Sequence, residues 1–312
     1  MTEVINTVKL SKTYGKIRAV DNLNLSVKQG EILGFIGLNG AGKTTTIRML
    51  LGMITPTSGQ CYLQGQKVNP GNINIWREVG YIVETPYSYP ELTVRENLEI
   101  VRKLRGVKDK SCVDWILNKL KLQDYASRKV KNLSLGNAQR LGIAKALIHR
   151  PKILILDEPT NGLDPAGIVE VRQLLTNLAE NSGVTILVSS HKLDELSRTS
   201  TNIAIIHNGR LIKEISREEL EDQLDKFLIL DGRNRNAVKT ILSNAGYKVF
   251  SQDGSSAGES TVLQIYDEHA VKNPEKIAEL LVNSGHPPTL LKVEKEDLEQ
   301  YFLRVIKEVG ER

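Results

Sequence analysis

The chain has 312 residues, of which 40% are hydrophobic and 25% are charged, and its formal net charge is +5. This composition is typical of a globular protein that can bury a sizeable core. No apolar run reaches the roughly 18 residues that span a bilayer, and Met1–Leu10 lacks a signal-peptide pattern, so we expect a cytoplasmic chain without a membrane span. Cys61 and Cys112 lack metal-ligand spacing, which predicts two free thiols.

Charge is distributed unevenly along the chain. Residues 225–312 carry 12 Lys/Arg and 14 Asp/Glu, whereas residues 1–224 carry 30 and 23. The basic excess is densest between Arg102 and Lys131, where it could face nucleic acid, anionic lipid or phosphate. A solvated helix surface is the simpler interpretation for most of these charges.

Strand and helix patterns alternate over residues 1–224. The predicted strands are Val4–Leu10, Glu31–Ile36, Lys152–Leu156, Thr185–Val188, Ile203–His207 and Arg210–Glu214. The predicted helices are Thr44–Leu51, Thr93–Arg105, Ser111–Leu120, Gln139–His149 and Pro165–Asn181. Such alternation predicts an α/β fold with a largely parallel sheet covered on both faces. An antiparallel β start and a helical block at about 92–150 are predicted additions to that core.

The pattern restarts after Leu224. The segments Lys226–Leu230, Ala237–Asn244, Lys248–Phe250, Thr261–Ile265, Pro274–Ser284 and Leu290–Val293 follow the order β-α-β-β-α-β. This order predicts a small α+β domain of split βαβ type over residues 225–312, separate from a domain at 1–224. A helix over Lys295–Val309 would close it, and the loop Asp253–Gly258 would join its middle strands. Its predicted apolar face consists of Phe227, Ile229, Val249, Val262, Ile265 and Leu281.

A complete phosphate-binding motif follows the second strand. Residues Gly37–Thr44 match G-x-x-x-x-G-K-[ST] between a strand and a helix, which is the context that the motif requires. Glycines let successive N–H groups point at phosphate oxygens, Lys43 reaches the β- and γ-phosphates, and the Thr44 hydroxyl ligates Mg²⁺. The predicted nucleotide-binding residues are Asn39, Gly40, Ala41, Gly42, Lys43, Thr44 and Thr45. A glycine-rich turn without function is the alternative.

Two carboxylates end the apolar strand near residue 155. Asp157 is predicted to hold the metal, and Glu158 to orient or deprotonate the attacking water. Many strands end in carboxylates, so this pattern predicts a catalytic site only in combination with the phosphate loop.

Three further motifs complete a resemblance. Leu133–Arg140 reads LSLGNAQR, Asn161–Asp164 reads NGLD, and Ser190–His191 follows. Together with the earlier motifs, this order resembles the ABC-transporter ATPases over roughly Val4–Leu220.

That resemblance implies roles for further residues. Ser134, Gly136 and Asn137 would contact ATP held by the opposite subunit of a dimer. His191 would sense the γ-phosphate as a second catalytic residue, and Asp164 would link the two sites. Tyr14 occupies the position where the family stacks an aromatic ring on adenine; a packed surface tyrosine is the alternative for Tyr14.

Departures from the common family pattern point to one branch. Leu135 replaces a glycine of the signature, Asn137 replaces a glutamine, and Glu84 occupies the loop that usually offers glutamine to the metal. A carboxylate there can still ligate Mg²⁺. These variants, and the closing segment Leu298–Phe302, resemble the ATPases of bacitracin-resistance and lantibiotic-immunity exporters.

The sequence therefore predicts a P-loop ABC ATPase that uses ATP and Mg²⁺. Its expected partners are an integral-membrane permease and a second ATPase subunit, either a copy or a paralogue, at the cytoplasmic face of the cell membrane; no nucleic acid is expected. One alternative is a soluble ABC ATPase that acts on ribosomes or DNA, although such chains usually carry two cassettes or a long coiled coil. Another is a non-catalytic regulatory module, against which the presence of Glu158 and His191 argues.

Overall fold

A computed structural model describes residues 2–69, 71–84, 86–252 and 262–310 of the chain. These residues form two compact units, one extending to Glu218 and the other comprising Glu219–Glu308. None of the described helices is both long enough and apolar enough to cross a bilayer.

The first unit is built on a six-stranded sheet and a four-stranded sheet. Its strands are β1 Glu3–Tyr14, β2 Ile17–Lys28, β3 Ile32–Ile36, β4 Ser58–Leu63, β5 Gln66–Lys67, β6 Val79–Ile82, β7 Ile153–Asp157, β8 Thr185–Ser190, β9 Asn202–His207 and β10 Arg210–Ser216. The larger sheet has the order β10-β9-β3-β8-β7-β6 and is parallel except for β10, which pairs antiparallel with β9. The smaller sheet, β2-β1-β4-β5, is antiparallel. The predicted α/β core with an antiparallel addition is thus confirmed.

Helices flank these sheets. They are α1 Lys43–Leu50, α2 Ile73–Arg77, α3 Val94–Leu104, α4 Ser111–Lys119, α5 Leu135–Leu147, α6 Pro165–Ser182 and α7 Leu193–Ser197. A further helix, α8 Arg217–Gln223, contains the boundary between Glu218 and Glu219. One buried apolar cluster joins α1 to β1, β2 and β4 and to one face of the parallel sheet. It packs α1 firmly against β3, because close-packed interiors deform little.

The second unit is an antiparallel sheet with helices. Its strands are β11 Lys226–Gly232, β12 Val249–Gln252, β13 Val262–Ile265 and β14 Pro288–Lys295, in the order β12-β13-β11-β14. Its helices are α9 Arg235–Asn244, α10 Glu268–Lys272, α11 Pro274–Asn283 and α12 Leu298–Gly310. The predicted loop Asp253–Gly258, and Thr261 at the start of a predicted strand, lie outside the described residues.

The predicted apolar face of this unit was partly wrong. Ile265 and Leu281 belong to the buried cluster, but β11 contributes Leu228 and Leu230 to it rather than Phe227 and Ile229. Successive residues of a strand point to opposite faces, and β11 is apolar on both, so the sequence alone could not tell which side meets the helices.

Candidate nucleotide site

The phosphate loop joins β3 to α1 and ends in Gly42, where a side chain would be strained. Gly42 has a φ of 104°, and a Cβ there would lie 2.4 Å from the carbonyl oxygen of Ala19. The helix that follows has no side-chain N-cap, and the N–H groups of Lys43, Thr44 and Thr45 have no acceptor within the described residues. Unpaired N–H groups at a helix N-terminus form an anion-binding site.

Lys43 brings a buried cation to this loop. Its side chain is 6% exposed, and its Nζ donates to the carbonyl oxygen of Gly37 at 2.7 Å. The Nζ also lies 3.7 Å from Oε1 of Glu158. A buried charge with such loose compensation is costly to maintain, and phosphate oxygens would satisfy it.

Thr44 and Asp157 meet beside the loop. The Thr44 hydroxyl donates to Oδ2 of Asp157 at 2.7 Å, and the Ser189 hydroxyl donates to Oδ1 at 2.5 Å. These oxygens suit Mg²⁺, which typically takes one or two protein ligands and completes its shell with phosphates and water. The described residues contain no cluster of three His, Cys, Asp or Glu side chains that could hold a metal ion.

Glu158 lies between the loop and His191. His191 Nδ1 is 2.9 Å from Oε2 of Glu158, while Lys43 approaches the other oxygen. Glu158 has a φ of 49°, a left-handed conformation that is unusual away from glycine. Such conformations cluster at functional sites, and this one holds the carboxylate where a water molecule can reach it, since the side chain is 18% exposed.

The signature residues lie elsewhere on the surface. Ser134 caps α5 by accepting from the Asn137 N–H at 3.3 Å, and Gly136 follows Leu135 in the first turn. Within the described part of the chain, no hydrogen bond links Ser134, Gly136 or Asn137 to the phosphate loop.

Asp164 and Tyr14 have different local environments. Asp164 caps α6 by accepting from the Gly167 N–H at 3.0 Å. Tyr14, at the end of β1, is 47% exposed, and Lys12 Nζ lies 5.1 Å from its ring centroid. The ring is therefore accessible for stacking.

Glu84 is not brought to the predicted metal ligands. Its carboxylate pairs with Arg48 on α1 at 2.6 Å, and its side chain is 60% exposed. No hydrogen bond or ion pair joins it to Thr44 or Asp157 among the described residues.

Two polar residues of the site were missed by the sequence analysis. Ser189 fixes Asp157, and Gln139, which is 6% exposed, donates to the carbonyl oxygen of Pro159 at 2.9 Å. Gln139 could have been identified from the sequence, because it lies among the apolar residues of α5 that face the core, and a buried amide requires hydrogen-bond partners.

Comparison with known proteins agrees with this geometry. Residues 20–161 match the family model described as ABC transporter. The bacitracin transport ATP-binding protein BcrA of Bacillus licheniformis is 41% identical over 98% of both chains. The lantibiotic transport ATP-binding protein SrtF of Streptococcus pyogenes is 38% identical over 72% of this chain and 97% of its own length.

Solved structures show the same fold. A structure of an ATP-binding subunit of an ABC transporter is 30% identical, with a TM-score of 0.65 over 70% of this chain and 92% of its own. A dimeric, post-hydrolysis ATP-binding cassette bound to ADP and Pi is 28% identical, with a TM-score of 0.63 over 68% and 98%. None of these proteins is described as acting on ribosomes or DNA, so that alternative gains no support. The predicted resemblance is confirmed: the chain belongs to the ABC transporter family as an ATP-binding subunit, and the reaction it performs is ATP hydrolysis.

Proposed function

We propose that this subunit drives a separate membrane permease that exports an antimicrobial peptide, such as bacitracin or a lantibiotic, from the cytoplasmic face of the membrane. The similarity to the bacitracin transport ATP-binding protein supports the substrate class, because it extends over 98% of both chains. The Glu158 carboxylate, held between Lys43 and His191, supports catalytic turnover.

Each residue of the site has a separate proposed role in ATP hydrolysis. The loop N–H groups and Lys43 bind the phosphates, and Thr44 and Asp157 hold Mg²⁺, with Glu84 as a proposed further ligand. When bound, Mg²⁺ neutralises phosphate charge. Glu158 orients the attacking water and accepts its proton, so that ADP and phosphate are released. His191, which touches Glu158, keeps that carboxylate aligned and contacts the γ-phosphate, and Tyr14 stacks on adenine.

A second ATPase subunit completes each site. Among the described residues, no hydrogen bond joins Ser134, Gly136 or Asn137 to the phosphate loop of the same chain. We assign these residues to the nucleotide of a partner copy or paralogue, as the family resemblance implies. The similar cassette that was solved as a dimer supports this arrangement.

A partly apolar surface of the first unit suits the permease. Two adjoining pockets of about 530 and 590 Å³ share Met53, Tyr81, Leu104 and Arg105. Leu104 is 79% exposed and Tyr87, which lines one of them, is also 79% exposed. Exposed apolar patches with a charged rim mark interaction sites, and this one is continuous with the Glu84 loop.

Affinity purification from detergent-solubilised membranes tests the partner. We expect the tagged chain to retain an integral-membrane protein, and Leu104→Glu to lose it. Val282→Glu, which changes an exposed apolar residue outside the pockets, should retain it. Failure of the wild-type chain to retain any membrane protein would contradict the proposal.

The substrate class has its own test. A strain lacking the chain should become more sensitive to bacitracin or to a lantibiotic, and Glu158→Gln should fail to restore resistance. Unchanged sensitivity to both compounds would exclude this class.

A further inference from the structure

Leu135, the first residue of α5, lies directly on Gly162 in the loop Asn161–Asp164. A Cβ built on Gly162 would lie 2.4 Å from Cδ2 and 2.5 Å from Cγ of Leu135, but at an ordinary 3.5 Å from its Cβ. The far end of the leucine side chain therefore occupies the position that a Cβ at 162 would take, and this end would have to move to admit one. A Cβ on the next residue, Gly136, would lie 3.3 Å from the carbonyl oxygen of Gly162, so the two backbones also run close together.

The contact continues along α5. Gln139, one helical turn after Leu135, donates to the carbonyl oxygen of Pro159 at 2.9 Å. Arg140 pairs with Glu170 on α6 at 2.6 Å, with side chains 14% and 30% exposed. Successive contacts hold α5 against the segment 159–170.

The Leu135 contact differs from the other two because it joins two segments of the proposed shared site. Leu135 belongs to the signature segment, and Gly162 belongs to the loop that ends in Asp164. Its side chain is 65% exposed, and burial alone therefore gives it little stabilising role. Its contact with a residue that lacks a Cβ sets the spacing between the two segments instead, since the leucine can approach the Gly162 backbone closely.

We propose that Leu135 is a positioning residue that locks the signature segment Ser134–Asn137 to the Asn161–Asp164 loop, so that the two segments enter the shared nucleotide site as one unit. This inference rests on the proposed function, because it concerns the site formed between two subunits. It predicts that a side chain introduced at position 162 lowers the ATPase rate because it displaces Leu135. Shortening Leu135 should then restore the rate.

Gly162→Ala is the first test, with Gly183→Ala as its control. Both glycines have left-handed backbones, with φ of +79° and +64°, so alanine carries a similar backbone cost at each. A Cβ at Gly183 meets nothing within 4 Å, however, whereas one at Gly162 meets Leu135. We expect kcat of Gly162→Ala to be about tenfold below that of Gly183→Ala because of overpacking. ATP affinity of the isolated subunits should differ by less than about twofold, because the phosphate loop is untouched.

Rescue by a second substitution separates positioning from general damage. The double variant Leu135→Ala/Gly162→Ala should recover kcat to within about threefold of Gly183→Ala, since neighbouring substitutions that exchange volume couple favourably. Leu135→Ala alone should lower kcat and ATP-driven dimerisation while its thermal unfolding stays close to that of the wild type. Equal kcat for Gly162→Ala and Gly183→Ala, or a double variant as impaired as Gly162→Ala, would overturn the inference.

One measurement separates this inference from the proposed function. Glu158→Gln, without other changes, should form an ATP-bound dimer in size-exclusion chromatography. If it stays monomeric with ATP, the shared site itself is wrong. If it dimerises and the Leu135 rescue fails, only the positioning role falls.

Discussion

Two buried charged groups, one in each compact unit, have different surroundings. In the first, Lys43 and Asp157 are 6% and 2% exposed, and they lie at the end of a phosphate loop and of a parallel strand. In the second, Glu296 is 7% exposed, but Arg304 neutralises it at 2.7 Å. This ion pair strongly raises the pKa of Arg304. A buried charge that a close ion pair neutralises is typical of a structural role, whereas one with loose compensation beside a phosphate loop is typical of a ligand site.

Sheet direction explains where such charges gather. In the first unit, the parallel strands β7 and β8 end side by side, which places Asp157 next to Ser189. Neighbouring strands of the antiparallel second sheet run in opposite directions, so their carboxyl ends do not meet. We therefore expect the catalytic side chains at the carboxyl ends of the parallel strands in the first unit.

Glu158→Gln should have the largest effect. Removing the proton acceptor should lower kcat by about 10²- to 10⁴-fold, while ATP still binds because the phosphate loop is intact. Steady-state hydrolysis and nucleotide binding would both be measured, with the exposed Glu180→Gln on α6 as the control. Turnover near the wild-type rate would show that Glu158 is not the base.

Leu281→Ala should damage only the second unit. Leu281 is fully buried in the apolar cluster of that unit, and its truncation should cost about 2 to 5 kcal/mol of unfolding free energy. Val282→Ala, at the adjacent and 54% exposed position, serves as the control. We propose that this unit folds separately and serves dimerisation or regulation, so the ATP Kd should not change. Weaker ATP binding by Leu281→Ala would show that the two units form one cooperative structure.

Lys43→Ala should weaken nucleotide binding itself. It removes a charge-assisted contact to the phosphates that is worth about 1.5 to 3 kcal/mol. Calorimetry of ATP binding measures the loss, and Lys67→Ala, an exposed lysine on β5, provides the comparison. Equal affinity of Lys43→Ala and the wild type would contradict the phosphate site.

The Arg48–Glu84 pair should show the smallest effect. Because both side chains are partly exposed, a double-mutant cycle of Arg48→Met and Glu84→Gln should give a coupling of about 0.2 to 1 kcal/mol in unfolding free energy, and less at high salt. With MgATP bound, the coupling should disappear if Glu84 turns to the metal. Coupling that persists with MgATP would argue against Glu84 as a ligand.

The sequence by itself determined the chemistry that depends on local spacing. Gly37–Thr44 specifies a loop, a helix start and a lysine within a few residues, and Asp157–Glu158 follows directly on an apolar strand. Because the backbone fixes such short-range geometry, these motifs suffice to identify a phosphate-binding ATPase. The alternation of strands and helices likewise indicated the parallel sheet.

Tertiary structure alone decided which distant residues meet. Three contacts join residues that are 27 or more positions apart in the sequence. They are the ion pair of Glu84 with Arg48, the hydrogen bond from Ser189 to Asp157, and the packing of Leu135 on Gly162. The face that β11 turns to the helices was also undecided, since both of its faces are apolar. Such choices depend on the packing of whole elements against one another, a property of the assembled core that no local pattern carries.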